Sequence, residues 1–139
     1  MALRSAPIIL ALTLLLTATA HAQHTLAGFR SPSGNIACMF FDYDNTNTLR
    51  RDIMEATVTA RRPAGCDLEF GKAFQIRSRG TGERLCHGDT VMDPRLPHLS
   101  YGEVWQHGGF TCTSAQTGVT CFNADRHGFS LSRAKQEVF

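Results

Sequence analysis

Five cysteines are the first residues whose types and spacing could do chemistry: Cys38, Cys66, Cys86, Cys112 and Cys121. A cysteine serves as a disulfide half, a metal ligand or a nucleophile, and spacing helps decide which. In the run TCTSAQTGVTC, Cys112 and Cys121 stand symmetrically about residues 115–118. An antiparallel hairpin turning there sets them directly opposite each other. A non-hydrogen-bonded pair brings Cα atoms to about 4.5 Å, inside disulfide range. The register therefore predicts a Cys112–Cys121 bridge, and closing so short a loop stabilises by roughly 2.5–3 kcal/mol. Read instead as half of a zinc site, the pair lacks a second paired-cysteine half. The odd count leaves at least one thiol unpaired within a monomer.

Three His-Gly pairs, at His87, His107 and His127, could supply imidazoles for a zinc with one open position. Histidines beside glycines also simply flank turns, and no metal or other cofactor is expected. An unpaired Cys38 could act as a nucleophile beside a histidine. No local signature supports that, and an orphan thiol acting as a small apolar residue suits it better. Ser33, Ser130 and Ser132 lack a G-x-S-x-G elbow. Asp89 and Asp93 could form a carboxylate pair for glycoside hydrolysis. Beside Pro94 they read as turn formers. Tyr101 and Trp105 could line a ligand surface, with core packing the plainer role.

The elements that must position these residues read as strands. Residues 36–43 are rich in β-branched and aromatic side chains. Asp44 and Asn45 tolerate a left-handed backbone and make a two-residue turn. Residues 46–53 return antiparallel, with Tyr43 opposite Thr46, Phe41 opposite Thr48 and Cys38 opposite Arg51. Alternation over 54–60 predicts a further strand after a bend. Leu68, Phe70, Phe74 and Ile76 add core residues around Gly71, and residues 78–83 form a turn. Residues 84–87 are a short strand, 93–100 irregular, and 103–105 and 109–113 lead into the cysteine hairpin. Phe129 and Leu131 then alternate with serines. Residues 133–138 could form one or two helical turns behind Ser132 as N-cap. The fold expected is all-β, six to eight short strands in a small disulfide-braced sandwich or partly closed barrel. A short C-terminal helical turn is optional.

The start of the chain reads as a signal peptide over residues 1–22. Arg4 supplies the positive region, residues 8–16 the apolar run, and Ala20-His21-Ala22 a small-x-small cleavage site. The run is too short to span a bilayer. That leaves residues 23–139 as one β-rich secreted domain with no transmembrane segment, secreted or periplasmic. The whole chain has 14 Lys and Arg against 12 Asp and Glu. These charges are interspersed, as in Arg50-Arg51-Asp52, and read as an ordinary solvated surface. No basic stripe argues for nucleic acid. Export to an oxidising space makes disulfides the default state of the cysteines.

Several runs together give the chain a family likeness: FRSPSGNIAC at 29–38, RRPAGCDLEFG at 61–71, CHGDTV at 86–91, YGEVW at 101–105, and GGFTCTS, TGVTC and HGFSLSR within 108–133. It resembles a group of small secreted bacterial proteins whose domain has no known function. The resemblance implies a secreted, disulfide-bearing domain and carries no activity, substrate or catalytic residue. In these relatives a cysteine stands where this chain has Arg51, within an Arg-Cys-Asp-Ile run. The resemblance therefore implies that Cys38 has lost its partner and is a free thiol opposite Arg51. The register and the resemblance agree on that pair. Cys66–Cys86 then follows by elimination and from the resemblance. Arg51 is expected to keep its charged head in water while its stem covers Cys38.

Small size, a braced β frame and the lack of a catalytic signature favour a non-enzymatic binding or interaction module of the envelope or extracellular space. Its partner would be a protein or small ligand there. The alternative is a small secreted hydrolase using His127 with an acidic residue, favoured if His127 and Asp89 share a cleft.

Overall fold

Strand β3, Thr46–Ile53, sorts its side chains by the period of a strand. Leu49, Arg51 and Ile53 face one way and are buried, while Thr48, Arg50 and Asp52 face the other. Around it a computed structural model describes residues 26–139. The leader over 1–22 lies outside the described residues. Strand β2, Ile36–Tyr43, pairs with β3 through a turn at Asp44 and Asn45, whose φ angles of 47° and 62° fit a type I′ hairpin. The register runs from Tyr43 opposite Thr46 to Cys38 opposite Arg51 and Ile36 opposite Ile53.

The other strands are β1 (Gly28–Arg30), β4 (Glu69–Arg77), β5 (Glu83–His87), β6 (Val104–His107), β7 (Phe110–Ala115), β8 (Gly118–Phe122), β9 (Gly128–Leu131) and β10 (Gln136–Val138). They form two antiparallel five-stranded sheets, β1-β2-β3-β4-β5 and β10-β9-β8-β7-β6. Each sheet is a simple meander, because every strand pairs with its neighbour in sequence. The sheets pack face to face and do not close into a barrel, so the chain is an all-β sandwich. The described residues contain no helix.

The core lies between the sheets. Phe29, Ile36, Leu49, Ile53, Phe74 and Ile76 from the first meet Phe110, Val119, Phe129 and Leu131 from the second. A second small cluster, Ala37, Val91 and Leu96, lies where residues 88–97 cover the outer face of the first sheet. That cover is pinned by charge. Arg50 donates to Asp52 Oδ1 at 3.0 Å and to Asp89 Oδ1 at 2.8 Å, and the Val91 N–H donates to Asp52 Oδ2 at 2.9 Å.

Among the described residues, ten strands replace the six to eight expected. The extra ones, β1 and β10, are three residues each, too short to show alternation. Residues 54–60 are not a strand. Both edges of β3 are already taken by β2 and β4, so the chain beyond Ile53 has no ladder to join. Leu68 is exposed rather than core. Ser132 is no helix N-cap: its Oγ accepts the Lys135 N–H at 3.1 Å within a turn. The chain then extends along β9 as β10 instead of coiling. Arg51 and Asp52, read as surface charges, are buried. Arg51 does not reach water, because its position on β3 points it into the inter-sheet core.

Candidate functional site

One end of the sandwich carries a cleft of about 790 Å³. Its first wall is the turn between β1 and β2. There the Ser31 N–H donates to the Ile36 carbonyl at 2.8 Å, the Ile36 N–H to Ser31 Oγ at 3.0 Å, and Gly34 takes a φ of 73°. Asn35 extends this wall by acting like a strand residue. Its Nδ2 donates to the Glu55 carbonyl at 2.9 Å and its Oδ1 accepts the Glu55 N–H at 2.8 Å. The second wall is the tip of the β7–β8 hairpin, residues 115–118, and the third is Ser132, Arg133 and Ala134. Glu55 and Arg133 form an ion pair across the cleft's side. Ile36, Met54 and Val119 add apolar lining, and Tyr101, half exposed, also lines it. The arrangement mixes an aromatic ring, amides, hydroxyls and one fixed charge pair around an apolar patch. Sites that orient small ligands mix groups in this way, and the described residues lining the cleft include no His or Cys.

The cysteines sit elsewhere. Cys112 and Cys121 are directly paired on β7 and β8 and bridged, with Cα atoms 4.1 Å apart. Cys66 and Cys86 are bridged at the far end of β5, with Cα atoms 5.7 Å apart. Cys38 is free and fully buried. Its neighbour across the strand pair, Arg51, lies with its guanidinium carbon 5.2 Å from the centre of the Phe129 ring, and its Nε and Nη2 have no hydrogen-bond partner. Burial pushes the Cys38 thiol up to about 11, Arg51 only partly opposing it, and pulls Arg51 down to about 10.

The histidines are dispersed. His87 is buried on β5, its Nδ1 2.8 Å from the Asp89 carbonyl oxygen and its Nε2 without a partner. His107 packs edge-on against Phe40 with ring centres 4.5 Å apart. His127 stands in the β8–β9 turn, its N–H donating to Asn123 Oδ1 at 3.1 Å. Among the described residues, the one group of three or more His, Cys, Asp or Glu with ligand atoms within 4.8 Å is Cys38, Cys112 and Cys121. Asp89 is gathered with Arg50 and Asp52, whereas His127 has Asp125 as its charged neighbour. Arg50 holds the Asp89 carboxyl low, and Arg95 holds Asp93 down to about 2. Neither is the raised acid that glycoside hydrolysis needs. Ser33, Ser130 and Ser132 bond to Ser31, Thr120 and Lys135, and Trp105 packs on Phe29.

Sequence reasoning missed the buried guanidinium, the Arg50–Asp52–Asp89 clamp and the role of Asn123. The first had a signal, since alternation along β3 places Arg51 on the Leu49 and Ile53 face. The clamp had none, because Asp89 reaches Arg50 only through the fold.

Fold and site define a disulfide-braced β-sandwich with an end cleft of mixed polar and apolar lining. The chain belongs to a family of unknown function, DUF6636, whose family model matches residues 8–139. No curated protein and no solved structure matches it. Among the described residues no helix is long and apolar enough to cross a membrane. The disulfides fit an oxidising compartment.

Proposed function

We propose that the chain is an exported, non-enzymatic binding module of the cell envelope or extracellular space, and that the end cleft is its binding site. One observation carries this. Residues from four runs far apart in sequence line that cleft: Ser31 and Ser33–Asn35 of SPSGN, Tyr101 of YGEVW, the hairpin tip 115–118, and Ser132–Arg133 of HGFSLSR. Ser31, Asn35 and the Glu55–Arg133 pair are held by hydrogen bonds and charge, so that wall needs little ordering on binding. Export is supported by the leader pattern and by two disulfides. A hydrolase built on His127 would have to use Asp125, which already accepts from Arg79 at 2.6 Å and from the Gly80 N–H at 2.9 Å.

The test is capture from periplasmic extract on immobilised protein, comparing the parent with a Tyr101→Ala, Gln116→Ala double variant. Tyr101 and Gln116 are both exposed, so the fold should survive. A partner retained by the parent and lost by the variant is the expected result. Undiminished capture by the variant moves the site elsewhere. Turnover of an ester, peptide or glycoside substrate that disappears in His127→Ala establishes the hydrolase instead.

A further inference from the structure

Three sulfurs meet in the middle of the sandwich. The Sγ atoms of Cys38 on β2, Cys112 on β7 and Cys121 on β8 all lie within 4.8 Å of one another. None of the three residues has exposed surface. A free thiol is thus held against a disulfide, and these are the two reactants of thiol–disulfide exchange. Arg51 completes the cluster: its Nη1 lies 3.9 Å from Cys121 Sγ, while Nε and Nη2 have no partner. A guanidinium fully out of water is strongly destabilised without an anion. The adjacent carboxylate, Asp52, faces the other side of the sheet, where Arg50 and the Val91 N–H occupy it. Within the sulfur cluster, the one anion available to Arg51 is a thiolate.

We propose that the core is an internal disulfide switch, in which Cys38 attacks Cys112 and Cys121 leaves as a thiolate against Arg51. The Cys112–Cys121 bond breaks, a Cys38–Cys112 bond forms, and the electron pair of the broken bond ends on Cys121 Sγ. Cys38 gives up its proton to solvent base before attack, and Cys121 Sγ stays the thiolate paired with Arg51 until it takes a proton back from solvent. No oxidant is consumed and one thiol remains free throughout. Attack falls on Cys112 because the guanidinium at Cys121 makes that sulfur the better leaving group. The new bridge joins the two sheets, whereas the old one clamps the β7–β8 hairpin. The tip of that hairpin walls the end cleft, so the exchange changes how firmly the wall is held.

The groups facing Cys38 set its pH dependence. Arg51 comes from β3; β7 and β8 bring the bridged Cys112 and Cys121 with apolar Phe110 and Val119, and β1 and β9 bring Phe29 and Phe129. Asp52, on the far face of β3, acts on the thiol only through space. Burial keeps the thiol protonated at neutral pH, so exchange should be slow there and quicken as pH rises.

The experiment holds the purified chain at pH 7 and at pH 9.5 without added thiol, with circular dichroism to verify the fold. Samples are quenched in acid, alkylated with a maleimide in acidic denaturant, and mapped without reduction. At pH 7 the label should sit on Cys38. At pH 9.5 it should appear on Cys121 together with a Cys38–Cys112 peptide, at a rate independent of protein concentration. Label confined to Cys38 at both values overturns the proposal, as does label on Cys66, Cys86 or Cys112. Arg51→Met should slow the transfer at least tenfold; an unchanged rate overturns the leaving-group assignment.

Discussion

At Arg51 a long basic side chain with no exposed surface lies between two apolar sheet faces. Replacing a buried ion or ion pair by an apolar residue of similar volume is often neutral or stabilising by about 1–4 kcal/mol. Arg51→Met should therefore raise stability by about 1–3 kcal/mol, read as a higher urea midpoint at unchanged slope. A lower midpoint would mean that contact with Phe129 and Cys121 outweighs the buried charge. The neighbouring thiol gives a pH signature. An exposed thiol titrates near 8.5, but Cys38 in the folded chain holds its proton up to about 11. Between about pH 9 and 10 the unfolded chain has shed that proton and the folded chain has not. The unfolded state then binds fewer protons, so stability falls as pH rises, by about 1 kcal/mol per pH unit. Above about 10 the sign of the Arg51 contribution is opposite, since the folded chain releases that proton before the unfolded one does. Melting temperatures at pH 8, 9 and 10 should decline in the parent and decline less in Cys38→Ser. Equal declines would place the alkaline transition elsewhere.

Among elements, the turn between β8 and β9 does more than reverse the chain. Asn123 is buried there, and its Nδ2 donates to the Arg77 carbonyl at 2.9 Å and to the Gly80 carbonyl at 2.8 Å. Its Oδ1 accepts from the Asp125 N–H at 3.0 Å and the His127 N–H at 3.1 Å. One side chain thus ties the second sheet to the β4–β5 turn of the first. Asn123→Ala leaves these groups without a protein partner and should cost about 2–4 kcal/mol in chemical denaturation. A loss under 1 kcal/mol would show that water replaces the amide. The glycine in HGFSLSR has an equally local cause: a Cβ at Gly128 would lie 1.9 Å from the Cys121 carbonyl oxygen, so β8 and β9 could not pair there. What was legible in the sequence follows the same division between local and distant causes. The β2–β3 and β7–β8 hairpins were legible because turn residues and alternation sit next to each other. Residues 54–60 carry alternation too, yet no neighbouring edge is free, and that is a property of the whole sheet. The end cleft was illegible because its walls come from runs that only the packed sheets bring together.

At the scale of the molecule, the two bridges occupy opposite environments. Cys112 and Cys121 have no exposed surface and lie beneath both sheets, whereas Cys86 is exposed on the edge strand β5. Thiol–disulfide exchange needs a thiolate to reach one of the two sulfurs in line, so access governs the rate when the attacking thiol is held constant. An external reductant can reach Cys86 in the native state. It reaches the core bridge only after the sheets separate, which is global unfolding or something close to it. Reduction should therefore proceed in two steps. Under a few millimolar dithiothreitol in native buffer, Cys66 and Cys86 should become alkylatable first, with the sandwich intact by circular dichroism. Cys112 and Cys121 should follow only at the unfolding rate, and adding urea below the transition should accelerate that second step far more than the first. Losing the Cys66–Cys86 bridge removes a tether on the long segment between β3 and β5, worth roughly 3 kcal/mol in the chain-entropy estimate for a loop near 20 residues, so the singly reduced protein should also melt earlier. Simultaneous reduction of all four cysteines in native buffer would mean that the sandwich opens as readily as its edge. The inter-sheet core would then not be the cooperative unit that its continuous cluster of buried side chains implies.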